Sequence, residues 1–259
     1  MSIFSIIVCI IAGLGAGFST GTIGLSAATI ITPMLVTFLG YPAYQAVAIS
    51  LASDVLASAI SAYTYSKNDN INYKTAVLML NAILIATTVG SWISSYFPSY
   101  ALGNFAVMTT LIIGLNFIYS PLQYFNNPYK NQNDSPKFRN YKIIAAGIYV
   151  GLNCGILGGG GGMIMLFVFT HLFGYNLKLS VGTSTFIMTF TALMGSISHM
   201  AIGGVPHKGA LVICIITTLI GAKYASRFAN KSNDNQVRKM TGQILSVLGT
   251  VMIMINLFF

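Results

Sequence analysis

Gly17-Phe-Ser-Thr-Gly-Thr-Ile-Gly24 and Gly151-Leu-Asn-Cys-Gly-Ile-Leu-Gly158 carry the same glycine spacing 134 residues apart, and this pair decides how the rest of the chain is read. Outward from these runs the register holds without a gap, Ala12 to Ala76 lying over Ala146 to Ala210. Gly40 and Tyr41 fall on Gly174 and Tyr175, Val47 on Val181, Ser50 on Ser184 and Lys74 on Lys208. Apolar residues and Gly coincide easily in hydrophobic chains, but Tyr, Ser and Lys kept in one gapless register do not. The chain reads as two copies of one unit, a common plan among secondary transporters, whose substrate site lies where the halves meet.

The surroundings of the repeat fix its solvent. Of 259 residues 55% are hydrophobic and only 7% charged, with a mean hydropathy of +0.75. That is too little polar side chain to cover a soluble surface and too much apolar sequence for one core, so the lipid bilayer is the partner. The formal charge of +9 resides in short loops between apolar runs, which gives no basic stripe for a nucleic acid. Cys9, Cys154 and Cys214 are odd in number and form no CxxC pair, so neither a disulfide framework nor a zinc site is expected. The apolar run from Ile3 lacks a basic n-region and an A-x-A-like site and is expected to stay with the fold.

A membrane helix needs about 20 apolar residues. Tyr44 to Ser66, Tyr73 to Tyr96, Tyr100 to Tyr119, Lys178 to Ala201, Gly209 to Phe228 and Val237 to Phe258 meet that length. Ile3 to Leu39 and Ile143 to Phe173 are too long for one helix and are interrupted by the two glycine runs. Each is expected to form two shorter helices of about 14 to 16 residues joined by an irregular turn, as a double crossing or a re-entrant hairpin. The fold class is therefore an all-α polytopic membrane protein of two inverted repeats, each a Gly-broken helix pair or re-entrant hairpin plus three transmembrane helices. Residues 1–119 form the first repeat, 120–141 a cytoplasmic linker and 142–259 the second repeat.

Inversion follows from charge. With the N-terminus outside, twelve of the thirteen basic residues fall inside and only Lys208 outside, as the positive-inside bias requires. Counting each broken stretch as a single crossing instead puts the basic loops at Asn126 to Lys142 and Lys223 to Lys239 on opposite faces. N- and C-termini are thus expected outside a cell (inner or plasma) membrane.

In lipid an irregular turn is tolerated only where protein buries it or water lines it. A helix that starts after such a turn aims free N–H groups and its positive dipole end inward, which suits an anion. Helices starting near Ser26 and Gly161 would supply two such ends. The candidate substrate-binding residues are Gly17, Ser19, Thr20, Gly21, Gly24, Ser50, Asn153, Cys154, Gly155, Gly158, Gly159, Gly160, Thr183 and Ser184, with Thr22 and Thr185 nearby. Tight helix packing by Gly and hydroxyls bonded to their own helix are the competing roles for these residues. Asp54 is the one acidic residue inside a span; a charge there is costly, so it is the candidate for proton coupling or gating.

Other chemistries lack their residues. Gly158 to Gly162 is not followed by Lys-Ser or Lys-Thr, and neither glycine run fits G-x-G-x-x-G after a strand, so no nucleotide site and no cofactor are expected. His171, His199 and His207 are too scattered for a metal site and are expected near helix ends as interfacial hydrogen-bonding groups. No carboxylate pair or Ser-His-Asp set converges within the spans, which disfavours a membrane enzyme.

At the glycine runs the sequence resembles the sulfite exporter TauE/SafE permease family. The resemblance rests on G-F-S-T-G-T-I-G with Pro33 and the Gly40 turn, on A-V-A-I-S-L from Ala46 to Leu51, and on G-L-N-C-G-I-L-G-G-G-G-G with S-V-G-T-S-T from Ser180 to Thr185. It covers nearly the whole chain and implies a permease for small sulfur-containing or organic anions such as sulfite or sulfonates. Where the family often has a Gly-Gly pair, Leu25-Ser26-Ala27-Ala28 stands in the first half, implying a first turn less open than the second. A passive anion channel of the same architecture is the alternative; oligomeric state and direction are left open.

Overall fold

A computed structural model describes residues 1–97, 136–157, 161–203 and 206–233, with isolated positions within 108–115 and 235–254. Regular structure among the described residues is entirely helical. Helices α1 (Ile3–Ile23), α3 (Ala43–Ser66), α4 (Tyr73–Ser94), α7 (Leu177–Gly203) and α8 (Lys208–Lys231) are long and apolar enough to cross a membrane. The helix α5 (Pro136–Leu157) has a basic, polar start, and α2 (Ala28–Leu39) and α6 (Gly161–Phe167) are short. A π-helical turn, Val168–Leu172, extends α6. The expected spans Tyr100 to Tyr119 and Val237 to Phe258 lie, apart from isolated positions, outside the described residues. Because α5 begins at Pro136, residues 136–141 of the expected linker are helical.

The breaks are shorter and later than the glycine spacing suggests. α1 runs unbroken through Gly17 and Gly21 for 21 residues, and α2 has only 12. The chain turns at Gly24, whose φ of 69° is the left-handed conformation glycine adopts without strain. Its N–H and that of Leu25 return to the Thr20 and Ser19 carbonyls and close the helix. Gly17 and Gly21 serve a different purpose, close approach to α8. A Cβ on Gly17 would lie 2.2 Å from the Thr218 carbonyl oxygen, and one on Gly21 2.7 Å from that of Ala222. In the second half Gly151 and Gly155 face α4 in the same way, with Cβ positions 2.6 Å from the Ile83 oxygen and 2.2 Å from the Thr87 oxygen. Small residues let the backbones touch, which is how helices associate where lipid supplies no hydrophobic drive between them.

Every helix of the first set maps onto one of the second at the offset of 134: α1 on α5, α2 on α6 with its π turn, α3 on α7 and α4 on α8. Packing is exchanged between the sets, α1 lying on α8, α4 on α5 and α3 on α7. The first two pairs run parallel: Gly13, Gly17 and Gly21 step along Thr217, Gly221 and Ala225, as Gly147, Gly151 and Gly155 step along Ala82, Ala86 and Ser91. The central pair runs antiparallel. Gly182, near the start of α7, touches Asn70 beyond the end of α3, while Gly195 near the end of α7 touches Leu51.

One atomic contact repeats as well. The Tyr65 hydroxyl donates to the Gly21 and Thr22 carbonyls at 3.2 Å each. At the equivalent position His199 Nε2 lies 3.0 Å from the carbonyl of Gly155, which is the equivalent of Gly21.

These contacts sort the two ends of the bundle. One end holds residues 67–72, the start of α7 through the bond from the Asn72 amide to Thr183 Oγ1, and the end of α8 through the bond from Lys178 Nζ to the Asn230 carbonyl. The start of α5 joins them, since α5 runs parallel to α4. Lys67, Lys74, Lys137, Arg139, Lys142 and Lys178 are therefore at this end, as are Arg227 and Lys231 of α8. Lys208 is at the other, where Tyr41 stacks on His207 with centroids 6.0 Å apart and Met1 reaches Gly209.

Candidate functional site

Asp54 is the midpoint of α3, and its side chain is 1% exposed. A bare carboxylate there would be prohibitively costly, so its partners define the local design. Ser26 Oγ donates to Oδ2 at 2.8 Å and Thr20 Oγ1 to Oδ1 at 3.4 Å. The Ala27 amide also donates to this carboxyl. Asp54 thus reaches across from α3 to cap the first turn of α2 and to hold the end of α1, placing a negative group on the positive end of a helix.

The N-terminal end of α2 was expected to face an anion, and in this conformation the protein's own carboxyl is bound there. The second half differs because the equivalent of Asp54 is Met188. Its sulfur lies 3.0 Å from where a Cβ on Gly162 would stand.

The two breaks meet. A Cβ on Gly162 would lie 2.5 Å from the Gly24 carbonyl oxygen and 2.7 Å from the Ser26 amide nitrogen. One on Gly24 would lie 2.7 Å from Ser184 Oγ, and one on Gly161 3.1 Å from Cys154 Cβ. Gly24, Ser26, Cys154, Ser184 and the start of α6 therefore share one contact zone, with Thr20 and Asp54 adjoining it through Ser26. Ser50 reaches α2 at Thr32, the two hydroxyls being 2.8 Å apart. Ser50 and Ser184 each also donate to the carbonyl three residues back, Val47 and Val181, a further contact kept by the repeat.

Other candidates are held elsewhere. Ser19 Oγ donates back to the Gly15 carbonyl and Asn153 Nδ2 to that of Tyr149, each within its own helix. Thr22 is likewise bonded to Phe18. Thr183 donates to the Leu179 carbonyl and accepts from the Asn72 amide, which fixes the loop before α4. Gly17, Gly21 and Gly155 are helix-packing residues, as their contacts show. Gly158, Gly159 and Gly160 lie outside the described residues. Among the described residues no three His, Cys, Asp or Glu side chains gather into a metal site.

The sequence reading missed one group. His199 was expected at a helix end near the interface, yet it is 1% exposed, and its ring lies 4.3 Å, centroid to centroid, from that of Tyr44. The signal that could have found it is the offset itself, which pairs His199 with Tyr65. His207 does cap a helix, accepting from the Ala210 amide at the start of α8. The His171 side chain lies outside the described residues.

The family model described as sulfite exporter TauE/SafE matches residues 9–252. The chain is 25% identical to the probable membrane transporter protein YunE of Bacillus subtilis over 98% of this chain and 99% of that protein. It is 24% identical to a second B. subtilis probable membrane transporter, YdhB, over 83% and 86% of the two chains. A probable membrane transporter protein of Haemophilus influenzae is 23% identical over 98% of each chain. No solved structure matches the chain.

Proposed function

The chain belongs to the sulfite exporter TauE/SafE family of membrane proteins, and from that premise we propose that it is a secondary permease for small sulfur-containing or organic anions such as sulfite or sulfonates. The observation that carries this reading is the contact between the two breaks, one from each repeat, beside a buried carboxyl at mid-span. Irregular backbone at that depth is the usual construction of a transporter site. The described basic side chains are at or toward the ends of helices, so backbone N–H groups and hydroxyls would bind the anion. Such a site holds its cargo less tightly than an Arg clamp and releases it more readily.

The working model is two inverted repeats in a cell membrane, with the Lys67 end cytoplasmic and both termini outside. Rocking of one repeat against the other would part the breaks and expose the site to each face in turn. Substrate would compete with Asp54 for the N–H groups at the start of α2, and protonation of Asp54 would release them.

Reconstituted protein is expected to accumulate labelled sulfite, sulfoacetate or taurine in liposomes, with saturation and with a dependence on an imposed proton gradient. A passive channel would give neither. The same ligands are expected to raise the melting temperature of purified protein. Ser184→Ala, which removes one hydroxyl from the contact zone, is expected to raise KM. Gly162→Ala, which puts a methyl between the breaks, is expected to abolish both uptake and ligand-induced stabilisation. Wild-type uptake by both variants would remove the site from the breaks.

A further inference from the structure

Three polar atoms where α4 of the first repeat meets α5 and α7 of the second lack hydrogen-bond partners among the described residues although their side chains are almost wholly inaccessible: His199 Nδ1, Thr87 Oγ1 and Ser91 Oγ. All three residues abut Gly155. His199 Nε2 is on the Gly155 carbonyl, and a Cβ on Gly155 would lie 2.2 Å from the Thr87 carbonyl oxygen and 2.6 Å from the Ser91 amide nitrogen. Tyr44 closes the group, with its ring on His199 and its hydroxyl donating to the Ser91 carbonyl at 3.1 Å. An unpaired buried polar group is destabilising, so three on residues around one glycine call for an occupant.

The chemistry of that occupant follows from the tautomer. A carbonyl oxygen can only accept, so Nε2 carries the hydrogen in the bond to Gly155, and Nδ1 of the neutral ring is a bare lone pair. The surroundings of Gly155 therefore offer one acceptor and two hydroxyls without partners, which suits a proton delivered by water. The repeat shows that this is not a requirement of the scaffold. At the offset of 134, Thr87 and Ser91 become Gly221 and Ala225, and the counterpart of His199 is Tyr65, whose hydroxyl is already engaged.

We propose that His199 Nδ1, one of three unpartnered buried polar atoms on residues around Gly155, is a second proton-binding site, separate from Asp54, and that loading it tightens the contact between α7 and α5 beside the second break. The proton arrives at Nδ1 from water and leaves from the same atom, because Nε2–H stays on the Gly155 carbonyl. The resulting imidazolium makes that bond charge-assisted and stronger. Gly155 is three residues before Gly158, so the tightened bond restrains the helix end that must move if the breaks part. The titratable group facing this ring is the Tyr44 phenol of α3; among the described residues α4 offers only the Thr87 and Ser91 hydroxyls near Gly155, and the Cys154 thiol of α5 lies against Gly161 instead. The inference rests on the permease reading for its consequence, though proton binding itself can be observed without transport.

Nitrogen NMR of the full-length protein labelled with 15N-histidine, with His199→Tyr to assign the signal, tests the binding. The tyrosine variant copies Tyr65 and so keeps a donor for the Gly155 carbonyl. The expected spectrum shows a bare Nδ1 at neutral pH that gains a proton on acidification while the fold persists. In liposomes, His199→Tyr is expected to flatten the dependence of uptake on pH at the Lys208 face. A bare Nε2, an Nδ1 that never protonates, or an unchanged pH profile would overturn the proposal. If no anion is transported by wild type, the permease reading fails and the NMR result alone decides proton binding.

Discussion

At the scale of single residues, Asp54 and its three donors set the strongest constraint. Replacement by Leu leaves the Ser26, Thr20 and Ala27 donors buried without an acceptor, at about 1–3 kcal/mol for each group that finds no substitute. Asp54→Leu is therefore expected to lower the melting temperature in detergent by several degrees. Asp54→Asn keeps an acceptor oxygen, so it is expected to fold but to lose the proton dependence of uptake; retention of wild-type proton-driven accumulation would remove Asp54 from coupling. That a carboxyl lies inside a span at Asp54 was legible, because it is the sole acidic residue within the apolar runs. That it caps α2 was not, since nothing local to Asp54 or Ser26 reports a contact between residues 28 positions apart. His199 was misplaced for a related reason: distance from a helix end says little about burial when α5 and α4 cover that end.

Among the elements, the glycine runs were read as turns, and most of their members proved to be helix faces. Gly13, Gly17 and Gly21 recur every fourth residue, the helical period that puts small residues on one stripe. A turn needs only Gly24, the residue with positive φ. The starts of α2 and α6 were nonetheless read within two residues, because helices resume where glycine spacing stops being periodic. Gly17→Leu and Gly155→Leu each drive a side chain into a neighbouring backbone and are expected to destabilise by about 1–3 kcal/mol or more. Their effect should be reduced yield and thermal stability, even with saturating ligand. Folded variants that merely lose ligand binding would reassign these glycines to the site.

Across the whole molecule, α3, α4, α7 and α8 were legible from apolar run lengths, α1 was not because its glycines were taken as an early break, and the repeat supplied the correspondence of the helices. Sequence could not supply the exchange by which α1 lies on α8 and α4 on α5. Segregation of basic side chains to one end now gives orientation a direct test. Cys9, Cys154 and Cys214 are buried, so a cysteine introduced for Lys67 or Lys208 stands out against a quiet background. In intact cells a membrane-impermeant maleimide is expected to label Lys208→Cys and to spare Lys67→Cys, the reverse pattern placing the termini inside. The exchange also bears on biosynthesis. The stripe of α1 that carries Gly17 is made long before its seat around Gly221. In that interval α1 must wait in the bilayer with that stripe against lipid or an insertion factor, so this packing is deferred until α8 has been made.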